Sequence, residues 1–209
     1  MAPNFFSSQI GKKIGMALTG LALYGFLVGH LAGNLLLIKG DGGEAFNAYS
    51  KFLTSHPLII PIELVLLAIF VAHVAFAVSV TRDNRRARPV GYEARSQAVG
   101  GRSWASRTMI YSGILILVFV VLHVRAFKYG DLGTGTLFDL VVATFNQTGP
   151  RIWYVVAMVV LGFHLWHAFQ SAFQTLGWKS NLVRAIGLAL SLILAIGFGF
   201  LPLYLGASM

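Results

Sequence analysis

Five predominantly apolar runs constrain this chain more than any other feature: Ile14–Ile38, Leu58–Val80, Thr108–Phe127, Ile152–Phe173 and Leu182–Tyr204. Each is long enough to cross a hydrocarbon layer roughly 30 Å thick, which takes about 20 helical residues. Inside a bilayer the backbone must satisfy its own N–H and C=O groups, so a spanning segment is a helix or a strand of a closed barrel. These runs are uniformly apolar rather than alternating, which argues against the barrel. Composition agrees. Only 11% of the residues are charged and the mean hydropathy is +0.74, whereas a soluble domain is about 25% charged. The sequence therefore predicts an all-α integral membrane bundle of five transmembrane helices, one domain over residues 1–209 with no soluble domain or internal repeat.

The formal charge of +9 is no sign of nucleic-acid binding, because most basic residues flank the apolar runs and set topology. Lys12 and Lys13 precede the first run. Arg82, Arg85, Arg86, Arg88, Arg95, Arg102 and Arg107 lie between the second and third, and Lys179 and Arg184 between the fourth and fifth. The other side holds Lys39, Lys51, Arg125, Lys128 and Arg151, diluted by Asp41, Glu44, Asp131 and Asp139. The positive-inside rule then predicts a cytoplasmic N-terminus and an outside C-terminus, which fits an odd number of spans. The first 13 residues are too polar for a secretory signal and lack a small-residue cleavage site, so the first helix is expected to stay. On the outer side, Gly43–Ser55 spaces Phe46, Tyr49 and Phe52 as a short interfacial helix would, and Leu137–Phe145 reads the same way. The basic loop Thr81–Arg107 reads as a topology determinant and as a docking surface for a cytoplasmic partner.

Six histidines occur: His30, His56, His73, His123, His164 and His167. Five fall inside predicted spans, and each of the first four spans has at least one. Ionisable groups at membrane depth are costly and mark function. Depth pairs them. At 1.5 Å per residue, His30 lies about 24 Å and His123 roughly 22 Å beyond the cytoplasmic starts of their helices, in the outer half. The second and fourth helices run inward, placing His73 about 22 Å and His164 about 18 Å from their outer ends, in the inner half. The expectation is two pairs at two depths, His30 with His123 and His73 with His164.

Two imidazoles facing each other from neighbouring helices suit bis-histidine haem ligation. Each neutral ring gives one nitrogen to iron and donates its other N–H to a carbonyl or similar group. Filled axial positions mean electron transfer rather than oxygen binding. Zinc fits less well, since it wants three or four ligands at one depth. The absence of cysteine excludes thiolate-bound iron–sulfur clusters and thioether haem, so iron–sulfur chemistry belongs to a partner. A haem wedged among helices also wants small neighbours, for which Gly20, Gly25, Gly29, Gly33, Gly113 and Gly162 are candidates; ordinary helix packing would explain them equally well. His164 and His167 are an i, i+3 pair, and spacing does not choose between them. His56, before Pro57, reads as a surface residue.

At this point the residues resemble a known family, the single-chain di-haem cytochrome b anchors of succinate dehydrogenases and fumarate reductases, the succinate:quinone oxidoreductases. The resemblance covers essentially the whole chain. It rests on GHLAGNLLLIKGDGGEAFN around His30, FVAHVAFAV around His73, VVLHVRAF around His123 and FHLWHAFQSAFQTLGW around His164. In the fourth stretch the family's ligand lies thirteen residues before the closing Gly, here Gly177, which selects His164 and leaves His167 adjacent to the site. The resemblance implies two haems b, an outer one on His30 and His123 and an inner one on His73 and His164. It also implies two cytoplasmic partners, an FAD-containing flavoprotein that oxidises succinate and an iron–sulfur subunit. The outer haem would exchange electrons with membrane quinone, menaquinone being the usual companion of di-haem anchors, in a bacterial cytoplasmic membrane. Glu63, the lone carboxylate within a span, is then a candidate for quinone-linked proton transfer, and Lys13, Arg107 and Arg125 for haem propionate contacts. Some fumarate reductases of this type carry a glutamate two residues before the fourth ligand; here that position is Gly162.

Rival di-haem cytochromes fit less well. The bc-type cytochrome b puts two histidines on each of two helices, and the hydrogenase and formate dehydrogenase cytochromes distribute theirs differently. A histidine-relay transporter would need mid-membrane charged partners, for which only Glu63 qualifies.

Overall fold

The computed structural model describes residues 5, 8–87 and 104–207, excluding the side chains of 104–107. Among these residues there is no strand. Seven α-helices follow in order: α1 (Gln9–Asn34), α2 (Glu44–Ser55), α3 (Ile59–Arg86), α4 (Trp104–Phe127), α5 (Leu137–Asn146), α6 (Thr148–Thr175) and α7 (Asn181–Ala207). A 3-10 turn, Leu35–Ile38, continues α1. Five of these helices (α1, α3, α4, α6 and α7) are long and apolar enough to cross a membrane, one for each apolar run. They overrun the runs at their ends because the hydrogen-bond ladder continues where hydropathy stops. The 28 residues of α3 extend about 42 Å, more than the roughly 30 Å hydrocarbon core, and the charged Arg85 and Arg86 stand in its last turn. Most of the basic loop, residues 88–103, lies outside the described residues.

Local chemistry sets the boundaries. Ser8 caps α1, its hydroxyl accepting the Gly11 N–H at 3.0 Å. At the end of α6, Gly177 takes a positive φ of 90°, and the Trp178 N–H donates back to the Phe173 carbonyl at 2.8 Å, a glycine stop of the Schellman kind.

Contacts between helix ends, together with His123 near the end of α4 meeting Tyr154 near the start of α6, show that the five long helices alternate in direction. Lys12 near the start of α1 pairs with Asp83 near the end of α3 at 2.7 Å. Glu63 at the start of α3 pairs with Lys128, just past α4. Arg151 at the start of α6 donates to the Gly206 carbonyl at the end of α7 at 2.8 Å. In packing order the bundle reads α3, α1, α6, α4, with α7 behind α1 and α6. A main core joins α1, α4, α6 and α7 through Tyr24, Leu31, Phe119, Leu161, Leu165 and Leu194. Close approach depends on small residues, as membrane helix pairs generally do: Gly162 faces Ala195 and Gly187 faces the Phe169 ring. One buried polar bridge crosses it. Ser191 donates to the Gly187 carbonyl at 2.6 Å and accepts from the Tyr24 hydroxyl at 3.2 Å, a type of contact worth about 0.6 kcal/mol in membrane proteins.

The two short helices do more than float at an interface. They form a cap at the end of the bundle opposite the start of α1. Phe46 of α2 is buried with Val141, Val142 and Phe145 of α5 and Leu201 and Leu205 of α7, while Phe52 is exposed. Asn47 ties the cap together, donating to the Thr136 hydroxyl at 3.1 Å and accepting the Phe138 N–H at 3.1 Å.

Candidate functional site

His30 and His123 face each other with ring centroids 5.9 Å apart and planes at 87°. Two imidazoles at opposite axial positions of one metal, each nitrogen about 2 Å from it, put their centroids roughly 6 Å apart. Aromatic rings surround this pair. Phe26 stacks on His30 at 5.3 Å and Phe198 of α7 lies 5.7 Å away, while Phe119 stacks on His123 at 5.6 Å and Phe127 sits edge-on at 5.4 Å. Tyr154 places its hydroxyl 3.2 Å from His123 Nδ1. Asn34 Nδ2 lies 3.4 Å from both ring nitrogens of His30, but its best bond is to the His30 carbonyl at 2.8 Å.

The other pair has different walls. His73 Nδ1 lies 3.2 Å from both the Thr19 hydroxyl and the Met16 carbonyl on α1. His164 Nδ1 lies 3.0 Å from the Ser112 hydroxyl on α4. His73 thus sits against α1 and His164 against α4. A Cβ on Gly20 would meet His73 Cε1 at 3.0 Å, and one on Gly113 would meet His164 Cε1 at 3.7 Å.

Those glycines serve as rulers. Gly20 marks the level of His73 on α1, and His30 follows ten residues later; Gly113 marks the level of His164 on α4, and His123 follows ten residues later. Both intervals are about 15 Å. The histidines therefore form two levels, one near the start of α1 and one under the cap. Within each level the two helices that carry the histidines do not pack closely on each other: α1 and α4 both rest on α6, and α3 and α6 both rest on α1. Among the described residues no three His, Asp or Glu converge, so the histidines come in twos.

This arrangement fits a flat group held between facing imidazoles. The centroid separation suits axial ligation, and the helices on either side are spread. Trp153 Nε1, buried without a hydrogen-bond partner, lies beside Phe119 and could donate to an acceptor on such a group. Only some of the glycines take part. Gly20 and Gly113 border histidines, whereas Gly33 accommodates Tyr49 of α2 and Gly162 packs on α7. Gly25 and Gly29 touch nothing within 4 Å, and at 3.6 residues per turn they lie about 140° and 100° around α1 from His30. The tight seat of Gly162 also leaves no room for a carboxylate side chain there.

Other candidate residues stand apart from the pairs. His167 borders His164, but His164 is the one against Ser112 and Gly113. His56 is exposed, its Nδ1 accepting the Leu58 N–H at 3.2 Å. Glu63 is partly exposed and paired with Lys128. Lys13 and Arg125 are exposed at opposite ends, and it is Lys12 rather than Lys13 that makes an ion pair. The Arg107 side chain lies outside the described residues. Sequence reasoning missed Thr19, Ser112, Tyr154 and Asn34, although polar side chains inside apolar runs, matched for depth against the histidines, would have pointed to the first three.

No protein-family model, curated protein or solved structure matches this chain.

Proposed function

We propose that this chain is the membrane anchor and di-haem cytochrome b subunit of a succinate:quinone oxidoreductase, passing electrons between a cytoplasmic iron–sulfur subunit and membrane quinone. One observation carries the reading: two histidine pairs stand at two levels, each joining helices that are spread apart on either side. His30 and His123 would hold one haem b and His73 and His164 the other. When bound, each haem would supply a one-electron carrier suited to electron transfer.

The chain's own residues do the holding. Phe26, Phe119, Phe127 and Phe198 exclude water from the His30 and His123 level, and Trp153 offers a donor there. The basic residues favour a cytoplasmic start of α1, in a bacterial cytoplasmic membrane. The His73 and His164 level then lies nearer the FAD-containing flavoprotein and its iron–sulfur companion, and the capped level nearer the outside. Glu63, held by Lys128 between the ends of α3 and α4, is the carboxylate available to exchange a proton with quinone, menaquinone by the family resemblance. Arg125 and Lys13 lie at the two ends where propionates would emerge, as does Arg107.

A reduced-minus-oxidised spectrum of the purified protein tests the reading. The expected result is a b-type α-band amounting to two haems per chain, in a complex that oxidises succinate or reduces fumarate. A protein without haem absorbance would overturn it.

A further inference from the structure

The seat of His73 and His164 is written twice in the chain. On α1, Thr19–Gly20 is followed by His30; on α4, Ser112–Gly113 is followed by His123 at the same spacing. Each hydroxyl–glycine dipeptide faces a histidine of the other level: Thr19 and Gly20 meet His73, and Ser112 and Gly113 meet His164.

The hydroxyls are not free to turn. Thr19 Oγ1 donates to the Gly15 carbonyl at 2.7 Å, and Ser112 Oγ donates to the Met109 carbonyl at 3.0 Å, the back-bonding that Ser and Thr make inside helices. A hydroxyl has one proton, and a carbonyl only accepts. For both contacts of each hydroxyl to be hydrogen bonds, the imidazole must supply the second proton. The Met16 carbonyl at 3.2 Å from His73 Nδ1 makes the same demand. Both rings are thereby held as the Nδ1–H tautomer with the Nε2 lone pair unused. At the other level Tyr154 has no such second bond among the described residues, so its hydroxyl can give or take the proton.

We infer that Thr19 and Ser112 are positioning residues that fix the tautomer of His73 and His164 and present Nε2 of each to the metal, while Gly20 and Gly113 leave room for the two rings. This rests on the proposed haem ligation. A ligand that donates its second N–H is more basic and better oriented, so it favours oxidised iron. Among the described residues Ser112 is the sole hydrogen-bond partner of His164 Nδ1, whereas His73 keeps the Met16 carbonyl if Thr19 is lost.

The test uses the complete protein with its haems, by redox titration and low-temperature electron paramagnetic resonance. Ser112→Ala should raise the midpoint potential of one haem, move its g-values, leave the other haem unchanged and weaken haem retention at that site about tenfold. Thr19→Val should move the same haem in the same direction by less. Ser112→Thr and Thr19→Ser should restore wild-type behaviour, even if the hydroxyl-free proteins lose that haem altogether. Unmoved potentials in Ser112→Ala, or equal damage from Ser112→Thr, would overturn the inference with the haem reading intact. A wild-type protein without haem would instead bring down the haem reading and this inference together, before any variant is made.

Discussion

Each histidine level brings in two imidazoles, but the two levels are built by opposite means. Near the start of α1, small hydroxyls anchored to helix backbone hold His73 and His164 through directed hydrogen bonds. Beneath the cap, His30 and His123 are wedged among Phe26, Phe119, Phe127, Phe198 and Tyr154, with one hydroxyl contact and a loosely placed amide. Hydrogen bonds fix a ring's proton as well as its plane, whereas stacking fixes only the plane. The first level is therefore sensitive to the loss of a single oxygen, and the second to the loss of ring volume.

The strongest way to break this comparison is to remove the four histidines proposed as haem ligands. His73→Ala and His164→Ala should each abolish the same one of the two haem signals, and His30→Ala and His123→Ala the other, by quantitative difference spectroscopy. His167→Ala should keep both. If His73→Ala removed the signal that His30→Ala removes, the two-level assignment would be wrong.

How much of this was legible beforehand follows from which forces act locally. Hydropathy and the backbone ladder are properties of a single stretch, so five spans and their alternation could be read directly. The histidine pairing followed because depth is arithmetic along a helix. Azimuth is different. Gly20 and Gly29 look alike in the sequence, yet one touches His73 and the other meets nothing, because facing depends on which neighbour packs where. The cap was missed for the same reason. Both α2 and α5 have amphipathic patterns of their own, but their union rests on Phe46 packing against α5 and on the hydrogen bonds of Asn47.

Azimuth offers the next test. Gly20→Leu pushes a side chain into the His73 ring and should cost most of the haem at that level while leaving the capped one. Gly29→Leu points into open space and should leave both, as measured by haem content per chain. A loss of haem from Gly29→Leu equal to that from Gly20→Leu would mean the glycines act through general helix packing. A smaller effect comes from Tyr154→Phe, which keeps the ring among its neighbours and removes one hydroxyl. Losing one neutral hydrogen bond costs about 1 kcal/mol, roughly a fivefold weakening, and it should appear as faster haem loss at the His30 and His123 level alone. Equal changes at both levels would contradict the division.

The smallest expected effect concerns pH, and it separates the levels by the cap. In α5 the Thr136 hydroxyl and backbone N–H donate to the Asp139 carboxylate at 2.7 and 2.8 Å, and these bonds hold its carboxyl below the usual carboxylate range. A group whose folded value is depressed stabilises in full above its unfolded value, about pH 4, and its contribution disappears as pH falls through the lower folded value. Acidification below about pH 4 should therefore fray the first turn of α5 and loosen the cap. The capped pair should feel this and the Thr19–Ser112 level should not, so one of the two haem bands shifts on acid titration. Asp139→Asn cannot titrate, and should lose the part of the acid response that is confined to the capped level. If the variant titrates like the wild type, or if both bands shift together, the cap does not support the pair beneath it.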